Sequence, residues 1–222
     1  MIYSASFSKY PVKGPVQPVL LHISDLACER DDRELFAGLA FSAGGGDVVQ
    51  VAGANGAGKT TLIRALAGLF GGYQGRVQWP WYQQQGQDPR QHVLYLGHRP
   101  GLRDELTARE NLNWWCAVNG CSSAGIDGAL ALVGLAGFED LPVQQLSAGQ
   151  RRRVMLSLLW TAPRQVWLLD EPFTALDSDG VAQVEARIRE HAAGGGLVVF
   201  SSHHRLDDAV RQIHLGSLEG RH

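Results

Sequence analysis

The segment Val48-VQVAGANGAGKTTLIRALAGLFG-Gly72 decides the fold. Residues 48–51 are an apolar run of buried-strand type, and they lead directly into a glycine loop. Beyond the loop, Leu62, Leu66 and Leu69 recur at helical spacing, predicting a helix over residues 60–69 that stops at Gly71 and Gly72. Strand, glycine loop and helix in this order form a phosphate-binding unit. The loop is Gly53, Ala54, Asn55, Gly56, Ala57, Gly58, Lys59 and Thr60, with Thr61 following. Its spacing lets backbone N–H groups wrap phosphates while the helix N-terminus adds its positive end. Lys59 is placed to neutralise β and γ phosphates, and Thr60 to offer a hydroxyl to Mg²⁺. The predicted cofactors are therefore a nucleoside triphosphate and Mg²⁺. A glycine turn that only joins strand to helix is the competing reading, and the completeness of the loop disfavours it.

Further along, VWLLDEP (166–172) is an apolar strand that ends in two carboxylates. Asp170 is placed to hold the metal directly or through water. Glu171 is the candidate to polarise the attacking water, because a carboxylate beside the metal is a better base than one ligating it. LSAGQ (146–150), TALD (174–177) and SSHH (201–204) complete an ordered set.

That ordered set resembles the ATP-binding cassettes, and the resemblance implies further roles. The expected fold is α/β, a P-loop NTPase of the ABC nucleotide-binding type with a mostly parallel sheet core, an antiparallel β subdomain and a helical subdomain. His203 would contact the γ phosphate. The helix after LSAGQ would aim its N-terminal dipole at ATP bound to another subunit, with Ser147 and Gly149 making the contacts and Gln150 starting the helix. Ala148 stands where the family more often has glycine. One set of motifs then requires a second copy of the chain, or a homologous partner, in the ATP-bound dimer. Arg151 to Arg153 are read as a solvated face in preference to a phosphate support.

The rest of the chain fits this frame. Strands are expected at residues 19–23, 35–41, 93–96 and 197–200, and helices at 111–118, 128–133, 150–160 and 181–192. Alternating strands and helices imply a mostly parallel sheet covered on both faces. Residues 1–18 read as an N-terminal extension, and 19–222 as one ATPase domain with a helical subdomain over about 99–162. The net charge of −2 excludes a general nucleic-acid binder. No run approaches the roughly 18 apolar residues needed to span a bilayer, so transport would need separate membrane subunits. Three cysteines without CxxC spacing suit reduced thiols. Trp114 and Trp115 are candidates to anchor a membrane partner, weighed against core packing, which is expected for at least one of them.

Two positions depart from the general cassette pattern. His98 in LYLGHRPGL aligns with the glutamine that usually touches Mg²⁺ and relays to the membrane subunit. Arg30 in LACERDDREL stands near the usual adenine-stacking aromatic, which leaves base selectivity open to GTP. These two departures, with LTARENL, GLAGFEDLPVQQLSAGQ and VWLLDEPFTALD, make the chain similar over about residues 20–206 to the CcmA-type haem exporter ATPases of bacterial cytochrome c maturation.

The closer resemblance implies a peripheral subunit on the cytoplasmic face of the inner membrane, paired with integral membrane subunits of CcmB and CcmC type. It implies ATP hydrolysis that drives haem delivery or export and release of the haem-loaded chaperone. The chain has no CxxCH, so no direct haem binding is expected, and no nucleic acid partner is expected either. The alternatives are the ATPase subunit of another ABC transporter and a soluble ABC ATPase. A metabolic P-loop kinase would leave LSAGQ and TALD unexplained.

Overall fold

The computed structural model describes residues 18–31, 33–204, 206 and 210–216. Two sheets and a group of helices build it. The antiparallel sheet pairs β1 (Val19–Arg30) with β2 (Arg33–Gly44) on one side and β4 (Gln74–Gln78) on the other. The parallel sheet has the order β5-β6-β7-β3-β8, from β5 (Val93–Leu96), β6 (Val166–Asp170), β7 (Leu197–Ser201), β3 (Val48–Ala52) and β8 (Arg211–His214).

Alternation along the central strands divides the core in two, because successive strand side chains point to opposite faces. Trp167, Leu169, Val198 and Phe200 face one core with Leu112, Leu130, Val154, Leu159 and Ile188. Val166, Leu168, Leu197 and Val199 face the other, with Leu62, Ile63 and Leu66 and with Leu20, Leu21 and Ile23 of β1. All residues of β6 and β7 are buried. Strands covered on both faces read as continuous apolar runs, which is why their sequences carry no alternation.

Helix α1 (Lys59–Leu66) follows the glycine loop and packs on the second core. Short α2 (Pro80–Gln84) opens on a proline, which suits a first helical turn. Five helices pack on the first core: α3 (Ala108–Asn119), α4 (Ile126–Leu132), α5 (Ala148–Leu156), α6 (Leu158–Thr161) and, through Val184 and Ile188, α7 (Ser178–Ala193). Thr107 with Glu110, and Ser147 with Gln150, form reciprocal capping boxes that start α3 and α5. The side chain of Asp177 accepts from the Gly180 N–H and so starts α7.

The expected strands at 48–51, 93–96, 166–169 and 197–200 agree with the structure to within one residue. Other expectations differ from it. Strand β1 continues to Arg30 instead of ending near residue 23, and α1 ends at Leu66, before Gly68 at φ 70°. The single helix expected over 150–160 is divided at Ser157, whose hydroxyl donates to the Val154 carbonyl at 2.7 Å. Strands β4 and β8 escaped the sequence reading because each lies at a sheet edge and carries mostly polar side chains. The N-terminal extension lies outside the described residues up to residue 17.

Candidate active site

The loop between β3 and α1 needs glycine at two positions for different physical reasons. At Gly53, with φ 148°, an added Cβ would lie 2.4 Å from the Leu215 carbonyl oxygen. At Gly58, with φ 93°, it would lie 3.1 Å from the Phe36 ring. Close backbone approach at the first and a left-handed conformation at the second exclude larger residues. Lys59 is 8% exposed and folds back over its own loop, donating to the carbonyls of Gly53 at 2.9 Å and Ala54 at 3.1 Å.

Asp170 closes β6 with a fully buried side chain. Its Oδ1 accepts from the Thr60 hydroxyl at 3.1 Å and the Ser201 hydroxyl at 2.6 Å. Its Oδ2 is buried and has no hydrogen-bond partner among the described residues. A buried carboxylate oxygen without a donor is costly, and a cation satisfies it. The hydroxyl of Thr60 and the carboxylate of Asp170 form an all-oxygen donor set suited to a hard divalent ion.

Glu171 follows in a left-handed backbone conformation, φ 51°. Its N–H donates to the carbonyl of Ser201 at 3.1 Å and to that residue's hydroxyl at 3.0 Å, tying β6 to β7 at the site. One carboxylate oxygen lies 3.9 Å from Nε2 of His203. That nitrogen is 2.8 Å from Asn55 Oδ1. An Nε2–H donating to Asn55 cannot also accept from Lys59, so the 3.4 Å separation from Lys59 Nζ is an approach and not a second hydrogen bond. Gln50, 3% exposed, positions the histidine segment by donating to the carbonyls of Ser202 at 3.1 Å and His204 at 2.9 Å.

These groups border a cleft of about 550 Å³. Asn55, Gly56, Gly58, Lys59, Thr60 and Thr61 form its floor, with His98 and Glu171 also lining it. Arg30, Asp31, Arg33 and Leu35 contribute from the β1–β2 hairpin, and no Phe, Tyr or Trp among the described residues lines it.

Ser147, Gly149 and Gln150 do not line this cleft. The Ser147 hydroxyl accepts from the Gln150 N–H at 3.2 Å, while the Gln150 side chain accepts from the Ser147 N–H at 2.9 Å. The helix therefore starts at Ala148, two residues before the expected Gln150. A Cβ on Gly149 would lie 2.8 Å from the Ala175 carbonyl oxygen. This glycine thus permits close packing of LSAGQ on the TALD turn within one chain.

The reading of Arg151 to Arg153 as a solvated face is corrected. Arg151 donates to the carbonyls of Leu146 at 3.1 Å and Gln144 at 3.0 Å, and Arg153 pairs with Asp177 at 2.6 Å. Arg152 is 4% exposed and donates to the carbonyls of Gly97, Asp170 and Glu171 at 2.7, 2.9 and 2.8 Å. Burial pulls its pKa below the usual guanidinium value, opposed by the charges of Asp170 and Glu171. A sequence signal for this existed: three consecutive helical residues sweep about 200° of the helix circumference, too wide an arc to share one solvent face.

Trp115 packs against the first core, whereas Trp114 is 48% exposed with the Arg103 guanidinium 5.0 Å from its ring centroid.

The sequence profile of the ABC transporter family matches residues 36–174. A chain from Alcanivorax borkumensis, named cytochrome c biogenesis ATP-binding export protein CcmA, is 52% identical over 199 residues, covering 88% of this chain and 87% of that relative. A protein of the same name from Saccharophagus degradans is 50% identical over 188 residues, covering 80% and 84%. A Salmonella choleraesuis chain named as a bifunctional cytochrome c-type biogenesis protein CcmAE is 47% identical over 206 residues, covering 88% of this chain and 59% of that one. Among solved structures, an ABC transporter ATP-binding protein from Pyrococcus furiosus superimposes with a TM-score of 0.75 at 24% identity, covering 88% and 96%. That last likeness concerns the fold.

Proposed function

The chain belongs to the ABC transporter family, among the CcmA-type cytochrome c biogenesis ATPases, and from that premise we propose that its ATP hydrolysis drives haem delivery or export and release of the haem-loaded chaperone. It is an ATP-binding, ATP-hydrolysing enzyme. The proposed ATPase domain spans residues 19–222, with 99–162 as its helical subdomain. The observation that carries the site assignment is the partnerless buried Oδ2 of Asp170, whose Oδ1 accepts from Thr60, a residue that lines the cleft together with Lys59 and Glu171.

In this reading the loop N–H groups of residues 53–61 cradle the phosphates, and Lys59 turns from its own carbonyls to the β and γ phosphate oxygens. Thr60 and Asp170 hold Mg²⁺, which supplies charge neutralisation to the phosphates when bound. Glu171, restrained through its N–H by Ser201, orients and polarises water toward the γ phosphate. His203, oriented by Asn55, contacts the same phosphate. His98, which lines the same cleft, senses the nucleotide. Arg30 lies over the base in place of an aromatic ring, since a guanidinium stacks on either purine.

Ser147, Gly149 and Gln150 act across a dimer of two copies, reaching the nucleotide held by the partner. Their absence from the cleft lining of their own chain favours this arrangement. Among the described residues no helix is long and apolar enough to cross a membrane. The proposed assembly is therefore peripheral, at the cytoplasmic face of the inner membrane, docked on integral subunits of CcmB and CcmC type. The longer CcmAE relative joins a matching sequence to further biogenesis sequence, which favours action beside a second component of that system.

Covalent haem staining of c-type cytochromes tests the proposal, in cells lacking this gene and complemented with the parental chain or with Glu171→Gln. Staining restored by the parental chain alone supports it. Normal staining in the uncomplemented cells, with no second copy of the gene, removes the haem role and leaves an ATPase of another export complex.

A further inference from the structure

Arg152 lies five residues beyond Ser147, near the middle of α5, the helix that begins at the signature segment. It is buried, and its three hydrogen bonds reach only backbone carbonyls. One acceptor is Gly97, the residue before His98. The other two, Asp170 and Glu171, converge on the single nitrogen Nη2. Between them Glu171 adopts φ 51°, a region that side-chain-bearing residues rarely occupy without support from their surroundings. The same helix begins against Ala175, where Gly149 leaves no space for a Cβ. An apolar side chain could fill the volume of Arg152, but it could not donate to three carbonyls in three directions.

We propose that Arg152 is a positioning residue for hydrolysis, coupling the signature helix to the backbone that carries Asp170 and Glu171 and to the segment leading into His98. A nucleotide of the second copy seating on Ser147 and Gly149 would then displace α5 and, through one guanidinium, adjust the backbone of Glu171. A helix moves as a near-rigid unit over a few residues, so the connection needs no intermediate element. The inference rests on the reading of Glu171 as the residue that polarises water.

The test uses the full-length chain with Arg152→Met and Arg152→Lys. Affinity for a fluorescent ATP analogue, kcat and KM are measured at a temperature where circular dichroism shows equal folded fractions. Arg152→Met is expected to lower kcat per folded chain by about tenfold or more with analogue affinity within about twofold, and lysine to restore part of the rate. Unchanged kcat in Arg152→Met overturns the proposal, as does loss of affinity in parallel with kcat, which would make the residue a scaffold for the whole cleft. If Arg152→Met does not fold, Arg152→Lys decides: reduced kcat at unchanged affinity supports the coupling, and parental kcat overturns it. Glu171→Gln runs as the control. Inactive Glu171→Gln beside fully active Arg152→Met removes only the positioning role, whereas active Glu171→Gln removes the site reading and this inference together.

Discussion

The Thr60 hydroxyl donates to Oδ1 of Asp170 across 3.1 Å, joining the first turn of α1 to the end of β6, while the other oxygen of the carboxylate is buried without a donor. Replacement of that carboxylate should therefore affect metal-dependent nucleotide binding first. In Asp170→Asn, the gain in ATP affinity produced by Mg²⁺ is expected to fall by at least the roughly tenfold that loss of even an outer-shell partner costs. Titrations with Mg²⁺ and with a chelator separate the effects. Equal Mg²⁺ dependence in both chains would contradict the ligand assignment.

Glu171 and Lys59 should fail differently. Glu171→Gln should retain ATP, accumulate as the nucleotide-bound dimer and lose about 100-fold or more in kcat, because it removes a base and not a phosphate contact. Lys59→Ala should weaken nucleotide binding itself. Analytical ultracentrifugation with ATP, paired with steady-state hydrolysis, distinguishes the two. Parental hydrolysis rates in both variants would sink the site assignment.

Two loop glycines provide a contrast within one motif. Gly56 has φ 77° with open space where a Cβ would project, so Gly56→Ala introduces mainly backbone strain of about 1–2 kcal/mol. Gly53→Ala adds a contact 2.4 Å from a backbone oxygen of Leu215, the residue whose N–H donates to the Ala52 carbonyl at 2.8 Å. It should be the more destabilising substitution in urea unfolding. The reverse order would mean that the β3–β8 edge yields easily.

A pH effect follows from His191. Its ring stacks on Trp167 with centroids 3.7 Å apart, and burial pushes its pKa below the ordinary imidazole value. The native state favours the neutral ring, while the unfolded chain takes up a proton near about pH 6.5. This contribution to stability is thus present above that pH and is lost as pH falls through the lower folded-state value. His191→Phe should lose about 1 kcal/mol at neutral pH with its hydrogen bond to the Gln165 carbonyl. It should also show a smaller fall in urea midpoint between about pH 7.5 and pH 5.5 than the parental chain. Equal falls in both chains would locate the acid sensitivity elsewhere.

The sequence by itself determined the phosphate loop, the buried central strands and the family, because these depend on local facts. A loop spacing, a run of apolar residues fully covered on both faces and an ordered set of short motifs are all written along the chain. The tertiary structure decided what depends on distant partners. It brought Thr60 to Asp170 and His203 to Asn55, residues 110 and 148 positions apart. It also placed polar edge strands β4 and β8, whose pairing comes from neighbouring backbone and leaves little hydrophobic signal. Arg152 marks the boundary between the two. Its charge in the sequence suggested solvent, yet three carbonyls that meet only in the folded chain accept from its two terminal nitrogens and offset most of the cost of burial, while its Nε is buried without a partner among the described residues.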